Sequence, residues 1–191
     1  MLLHTCCAPC SIYPVDFLRE QGVALHGYFF NPNIHPYTEF VKRRDALEEH
    51  AGRIGLRMII DDDYRLEEFL REVAHREAVR CRFCYAMRLE QSARAAKKGG
   101  FDCFSTTLLV SPFQKHDLIR ETGEAQGEKY GVPFYYRDFR PGYRDAAARS
   151  RELGLYRQQY CGCIFSEKER FCRPAKPAKK GVEKVWSPSG E

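Results

Sequence analysis

The sequence predicts an α/β fold, a parallel sheet with helices on both faces. Three observations lead to the α/β class. Short apolar runs alternate with helix-period segments along most of the 191 residues, which is the pattern of strand–helix–strand units. At 43% hydrophobic and 13% aromatic, the chain can bury a core without cross-links. No apolar run approaches the roughly 18 residues that a membrane helix needs.

The elements follow in order. Residues 2–5 read as a strand, and residues 11–21 as a helix with Ser11 as N-cap and Pro14 in its first turn. Residues 23–30 form the second strand, followed by the turn-rich Asn31-Pro32-Asn33-Ile34-His35-Pro36. A polar-faced helix over 40–54 precedes a third strand over 56–60 and a helix over 64–74. Residues 82–98 are helical and stop at Gly99-Gly100. A fourth strand at 101–107, a helix at 115–130, a fifth strand at 132–136 and a helix at 143–153 complete the pattern. The reading is one domain over 1–172 and a basic, aperiodic tail over 173–191. In such sheets ligands gather beyond the carboxyl ends of the strands, where the loops after the first two strands open.

Nine cysteines without a secretory signal point to a reducing, cytoplasmic setting and to metal or redox chemistry rather than a disulfide framework. A net charge of +5 permits a polyanionic partner without requiring one. Nothing suggests a membrane partner.

The cysteines fall into groups: Cys6-Cys7 with Cys10, Cys81-x-x-Cys84, Cys161-Gly162-Cys163, and the single Cys103 and Cys172. Two thiolates at a helix start can converge on one metal while backbone N–H groups offset their charge. Cys6, Cys7, Cys81 and Cys84 together supply four soft ligands, the number that a 4Fe–4S cluster or a structural zinc requires; spacing alone does not choose between them. Cys161 and Cys163 can close only a small strained ring, which suits a dithiol–disulfide relay, although extra ligands or turn residues would have the same spacing. Cys103, between Phe101 and Phe104, reads as core filling, and Cys172 is given no role.

The series LLHTCCAPCS, FFNPNIHPYTEF, CRFCYAMRLE, FSTTLLVSPFQKHDLI and GYRDAAARSRELGLYRQQYCGC resembles the QueH-type epoxyqueuosine reductases, in order, from Leu2 to about Cys163. The resemblance implies reduction of epoxyqueuosine to queuosine at the wobble position of tRNA, and a fold related to the adenine-nucleotide alpha hydrolases and PP-loop (HUP) enzymes. By position it implies Cys6, Cys7, Cys81 and Cys84 as 4Fe–4S ligands and Cys161 with Cys163 as a redox-active pair. It further implies a single mononuclear iron beside the cluster, to which Cys10 is placed to contribute. The partners implied are a tRNA anticodon stem-loop carrying epoxyqueuosine and an electron donor that the sequence does not identify. Where a PP-loop enzyme carries a glycine-rich phosphate loop, this chain has Thr5-Cys6-Cys7-Ala8-Pro9-Cys10-Ser11, so ATP dependence is not expected.

Weaker signals remain. Asp16, His35, His116, Asp117 and Tyr160 are candidate proton donors, and His4 is most simply a core histidine. Residues 111–117 lead into a helix whose N–H groups, with Lys115, could hold phosphate. Arg137, Arg140, Arg144, Arg149, Arg151 and Arg157 are interleaved with Phe139, Tyr143 and Tyr156, a mixture suited to phosphate contact and base stacking. Two other readings stand beside the reductase: a zinc-stapled RNA-binding module, and a tRNA thiolation enzyme on the same fold.

Overall fold

The computed structural model describes residues 1–172; the tail expected over 173–191 lies outside the described residues. Four strands form one all-parallel sheet in the order β3-β2-β1-β4: β1 Leu2–His4, β2 His26–Phe29, β3 Arg57–Ile60 and β4 Phe104–Thr106. Every residue of β1 and β4 is buried, as expected of parallel strands covered on both faces, whereas β3 at the edge alternates exposed and half-buried. The helices are α1 Ala8–Glu20, α2 Tyr37–Arg53, α3 Leu66–Val73, α4 Arg80–Lys98, α5 His116–Tyr130, α6 Tyr143–Glu152 and α7 Ile164–Phe171. Helix α1 packs with α2 and α6, while α4 packs with α5, β1 and β4.

The strand order carries a functional consequence. From β1 the chain steps outward to β2 and β3, then returns to place β4 on the other side of β1. The loops leaving β1 and β4 therefore diverge, which opens the crevice where ligands bind in open α/β sheets. His4, Tyr28 and Thr106 are level across the three strands, so the cysteine loop emerges directly at this switch point.

Several sequence expectations are corrected. Residues 132–136 do not form a fifth strand; they make one isolated parallel bridge, Phe104 to Phe134. Pro133 accepts from Phe104 N through its carbonyl at 3.0 Å but has no N–H to extend a ladder. Helix α1 begins at Ala8, not Ser11, because Pro9 sits in the first turn, where its missing N–H costs nothing; Pro14 falls inside the helix. That shift makes Cys7 the N-cap and carries Cys10 into the first turn. Helix α7, after the last expected element, was not anticipated. The stop of α4 at Gly99 agrees with the sequence, and Gly100 takes the left-handed φ of 66° that ends it.

Candidate metal–thiol site

The loop after β1 is fixed before it reaches the cysteines. Thr5 N and Oγ1 both donate to the Tyr28 carbonyl at 2.8 and 3.2 Å, Asn31 Nδ2 donates to Thr5 O at 2.9 Å, and Cys6 N donates to Thr107 Oγ1 at 3.4 Å. The chain is then tied to both neighbouring strands, and α1 starts immediately with its N-terminus toward the thiols. The sulfurs of Cys6, Cys7 and Cys10 lie within 4.8 Å of one another, with Cys6 and Cys7 at 3.7 Å. Gln158 Nε2 donates to Cys7 Sγ at 3.0 Å and to Cys10 Sγ at 3.4 Å. Hydrogen bonding with Cys10 and Cys7 holds the pKa of Cys6 well below the usual thiol range, while burial pushes Cys7 up and the hydrogen bond with Cys6 pushes Cys10 up. Three soft donors this close, one of them favoured as thiolate, suit a thiophilic metal such as iron or zinc.

Cys81 and Cys84 occupy the first turn of α4, so their CxxC spacing also falls at a helix start. They lie outside the tight group formed by Cys6, Cys7 and Cys10. Cys84 is buried, which raises its pKa to about 12, and it packs with Cys163, Phe69 and Val73. Cys161 opens onto a cavity of about 450 Å³ that is also lined by Cys6, Cys10, Thr107, Gln114, Gln158 and Tyr160. Gln114 bridges: its Nε2 donates to Cys161 Sγ at 3.3 Å, and its Oε1 accepts from Tyr85 Oη at 2.7 Å. Three cysteine motifs far apart in the chain thus share one neighbourhood.

The Cys161-Gly162-Cys163 segment is held by its backbone. Arg43, almost fully buried, donates from Nη1 to Cys161 O at 2.9 Å and from Nη2 to Tyr160 O at 3.0 Å, and its Nε pairs with Glu39 at 2.7 Å. His35 N donates to Gly162 O at 2.8 Å, and Tyr160 Oη donates to the His35 carbonyl. Gly162 has a φ of 132°, and a Cβ there would sit 3.1 Å from Arg43 Nη1 and 3.2 Å from Asn33 Nδ2. Cys163 then caps α7, its Sγ accepting from Ser166 N at 3.4 Å.

A model of the family described as "Epoxyqueuosine reductase QueH" matches residues 1–169. The chain belongs to that family. A relative from Dehalococcoides mccartyi named epoxyqueuosine reductase QueH is 42% identical over 178 residues, covering 93% of this chain and 98% of the relative. One of the same name from Thermotoga maritima is 36% identical over 190 residues, covering 94% and 96%. A third, from Staphylococcus epidermidis, is 33% identical over 181 residues, covering 87% and 75%.

Among the candidate proton donors of this QueH-family chain, Tyr160 lines the cavity. Asp16 is paired with Arg149 at 2.5 Å, and His116 Nε2 lies 3.1 Å from Ser111 O. His35 is buried with neither ring nitrogen bonded among the described residues, and burial lowers its pKa to about 4. His4 is a core histidine, its ring bonded to Thr106 Oγ1 and Phe30 O. Cys103 packs against the core, and Cys172 is exposed. Lys115 N donates to Tyr85 Oη at 3.2 Å, so that one backbone N–H at the start of α5 is already engaged.

The arginine–aromatic surface is smaller than the sequence suggests. Phe139 is fully buried against Tyr13 and Phe17, Tyr156 bonds to Glu39, and Arg140 and Arg149 are paired with Asp138 and Asp16. Sequence reasoning missed Arg43 and Arg88, each four residues after its partner on a helix, and Gln114 and Gln158, which carry no spacing signal. It also missed Phe113, 81% exposed at the cavity mouth beside Tyr143. Among the described residues no helix is long and apolar enough to cross a membrane.

Proposed function

We propose that this chain is a cytoplasmic enzyme that reduces epoxyqueuosine to queuosine in tRNA. The observation that carries the reading is that Cys6 and Cys10 line one cavity with Cys161 at the sheet's switch point, while Cys84 packs with Cys163 beside it. Converting the epoxide to an alkene removes one oxygen as water and takes two electrons and two protons. Oxidation of the Cys161 and Cys163 thiols to a disulfide releases two of each, so the pair balances one turnover and must then be reduced by an electron donor. Cys6, Cys7, Cys81 and Cys84 would hold a 4Fe–4S cluster, and Cys10 would contribute to a further iron; bound there, these groups would supply single-electron transfer and Lewis acidity toward the C–O bond.

The remaining roles belong to the chain's own side chains. Gln158 orients Cys7 and Cys10, and Gln114 orients Cys161 toward the cavity. Tyr160 presents its phenol beside the cavity as a proton carrier. Phe113 and Tyr143 offer ring faces at the mouth, and Arg144, Arg151 and Arg157 are exposed for phosphate contact. Unstacked anticodon bases are the form in which a protein reaches single bases, and aromatic stacking is the usual way of holding them.

The test is conversion of epoxyqueuosine in an anticodon stem-loop by anaerobically purified protein, with an artificial low-potential reductant and no ATP. Mass spectrometry of the nucleosides reads the loss of one oxygen. Failure of the iron-replete, reduced protein to form product overturns the reading. ATP-dependent gain of sulfur would indicate a thiolation enzyme, and a colourless protein with one tight zinc the RNA-binding module. In the same assay Phe113→Ala should raise KM about tenfold while leaving kcat, since stacking is worth about 1–3 kcal/mol per base.

A further inference from the structure

Arg88 is 1% exposed and has no carboxylate within ion-pair distance among the described residues. Its guanidinium donates from Nη2 to Cys84 Sγ at 3.1 Å and from Nε to the Cys84 carbonyl at 3.3 Å, one helical turn back on α4. The guanidinium also lies over the Tyr85 ring, 5.8 Å from its centroid, and the thiols of Cys84, Cys161 and Cys6 favour its charge. A guanidinium does not lose its proton in proteins, so this charge cannot be discharged by titration. Burying an unpaired cation costs several kcal/mol even after relaxation. Something must offset it, and sulfur is the chemistry within reach.

We infer that Arg88 is a positioning residue whose buried cation calls for an anionic, metal-bound thiolate at Cys84 and its fellow ligands, so that loading the site with metal completes the fold. The inference rests on the proposed reading of these cysteines as metal ligands. A metal ionises the thiols it binds. The ionised Cys84 sulfur then faces Arg88 at 3.1 Å in a weakly screened interior, and the charge that burdens the metal-free protein stabilises the loaded one. The cation also makes adding an electron to the centre easier than it would be beside a neutral side chain.

The experiment compares wild type with Arg88→Met and Arg88→Lys, each chelator-stripped or loaded with zinc under anaerobic conditions. Zinc gives the thiolate charge without redox chemistry. Stripped Arg88→Met should match or exceed stripped wild type in urea unfolding, and its zinc affinity should fall at least tenfold. Arg88→Lys should keep most of that affinity. In iron-loaded protein the Met variant should show a more negative reduction potential than the Lys variant. Equal destabilisation of Arg88→Met with and without metal, or its failure to fold when stripped, means that Arg88 is a packing residue and overturns the inference. Wild type that takes zinc but never iron fails the iron reading alone, and a Met variant that binds zinc like wild type fails the inference alone.

Discussion

Two arginines are buried to the same degree at this site and are handled in opposite ways. Arg43 has a carboxylate partner, Glu39, one turn back on α2, and directs its remaining donors at the backbone of Tyr160 and Cys161. Arg88 has a sulfur where Arg43 has a carboxylate. The difference separates two tasks. A charge neutralised within its own helix can serve as a fixed clamp, indifferent to what happens in the cavity. A charge neutralised only by cysteines is coupled to whatever those cysteines bind. The first arrangement suits the redox role proposed for the Cys161-Gly162-Cys163 segment, in which the backbone would stay put while the sulfurs change oxidation state; the second suits the proposed ligand set, which would have to be ionised.

The largest effects should separate the two regions chemically. On the clamped side, Cys161→Ser and Cys163→Ser should retain iron but lose multiple turnover, because electron delivery fails while the ligands remain. On the other side, Cys6→Ser, Cys7→Ser, Cys81→Ser and Cys84→Ser should lose iron and turnover together, since a hydroxyl is a poor substitute for thiolate on iron. Iron and acid-labile sulfide analysis beside a turnover assay distinguishes the classes. Iron loss from Cys163→Ser would move that residue into the ligand set.

A second test concerns the clamp itself. Arg43→Met leaves Glu39 buried without its partner and should cost about 3–5 kcal/mol in urea unfolding. Adding Glu39→Gln should restore a large part of that loss, because the pair rather than either charge is what the fold accommodates. Strictly additive losses would mean that the two side chains act separately.

The smallest effect lies behind the clamp, at His35. Its folded pKa of about 4 lies below the ordinary value of 6.5 because burial disfavours the charged ring. The unfolded chain therefore takes up the proton first. Stability from this group is present above pH 6.5 and is lost as pH falls toward about 4. His35→Phe, which keeps a ring against Tyr64 and Phe69, should flatten the acid limb of unfolding between these limits. An unchanged acid limb would show that other groups set it.

Much of this was legible in the order of the residues. Strand–helix alternation determined the α/β class, because periodicity reports which face of an element is buried whatever its neighbours are. The spacing of Cys81 to Cys84 set that pair at the start of an expected helix, whereas Cys7 and Cys10 reached a helix start only because α1 begins at Ala8 rather than at Ser11. The sequence overstated 132–136, where apolar residues suggested a strand that the missing N–H of Pro133 and a single available partner reduce to one bridge.

Tertiary structure alone decided which side chains meet. The order β3-β2-β1-β4 sets the cysteine loop beside Thr107, and nothing local to either segment specifies that pairing. Burial of Phe139 removed a residue that the linear pattern offered to nucleic acid, and exposure left Phe113 in its place at the cavity mouth. The charge balance of Arg43 and Arg88 is of the same kind. In sequence each is an arginine four residues after a polar partner, Glu39 or Cys84, on a helix. Only burial, which removes the water that would otherwise screen both charges, makes the nature of that partner decide whether the cation is a clamp or a demand for bound metal.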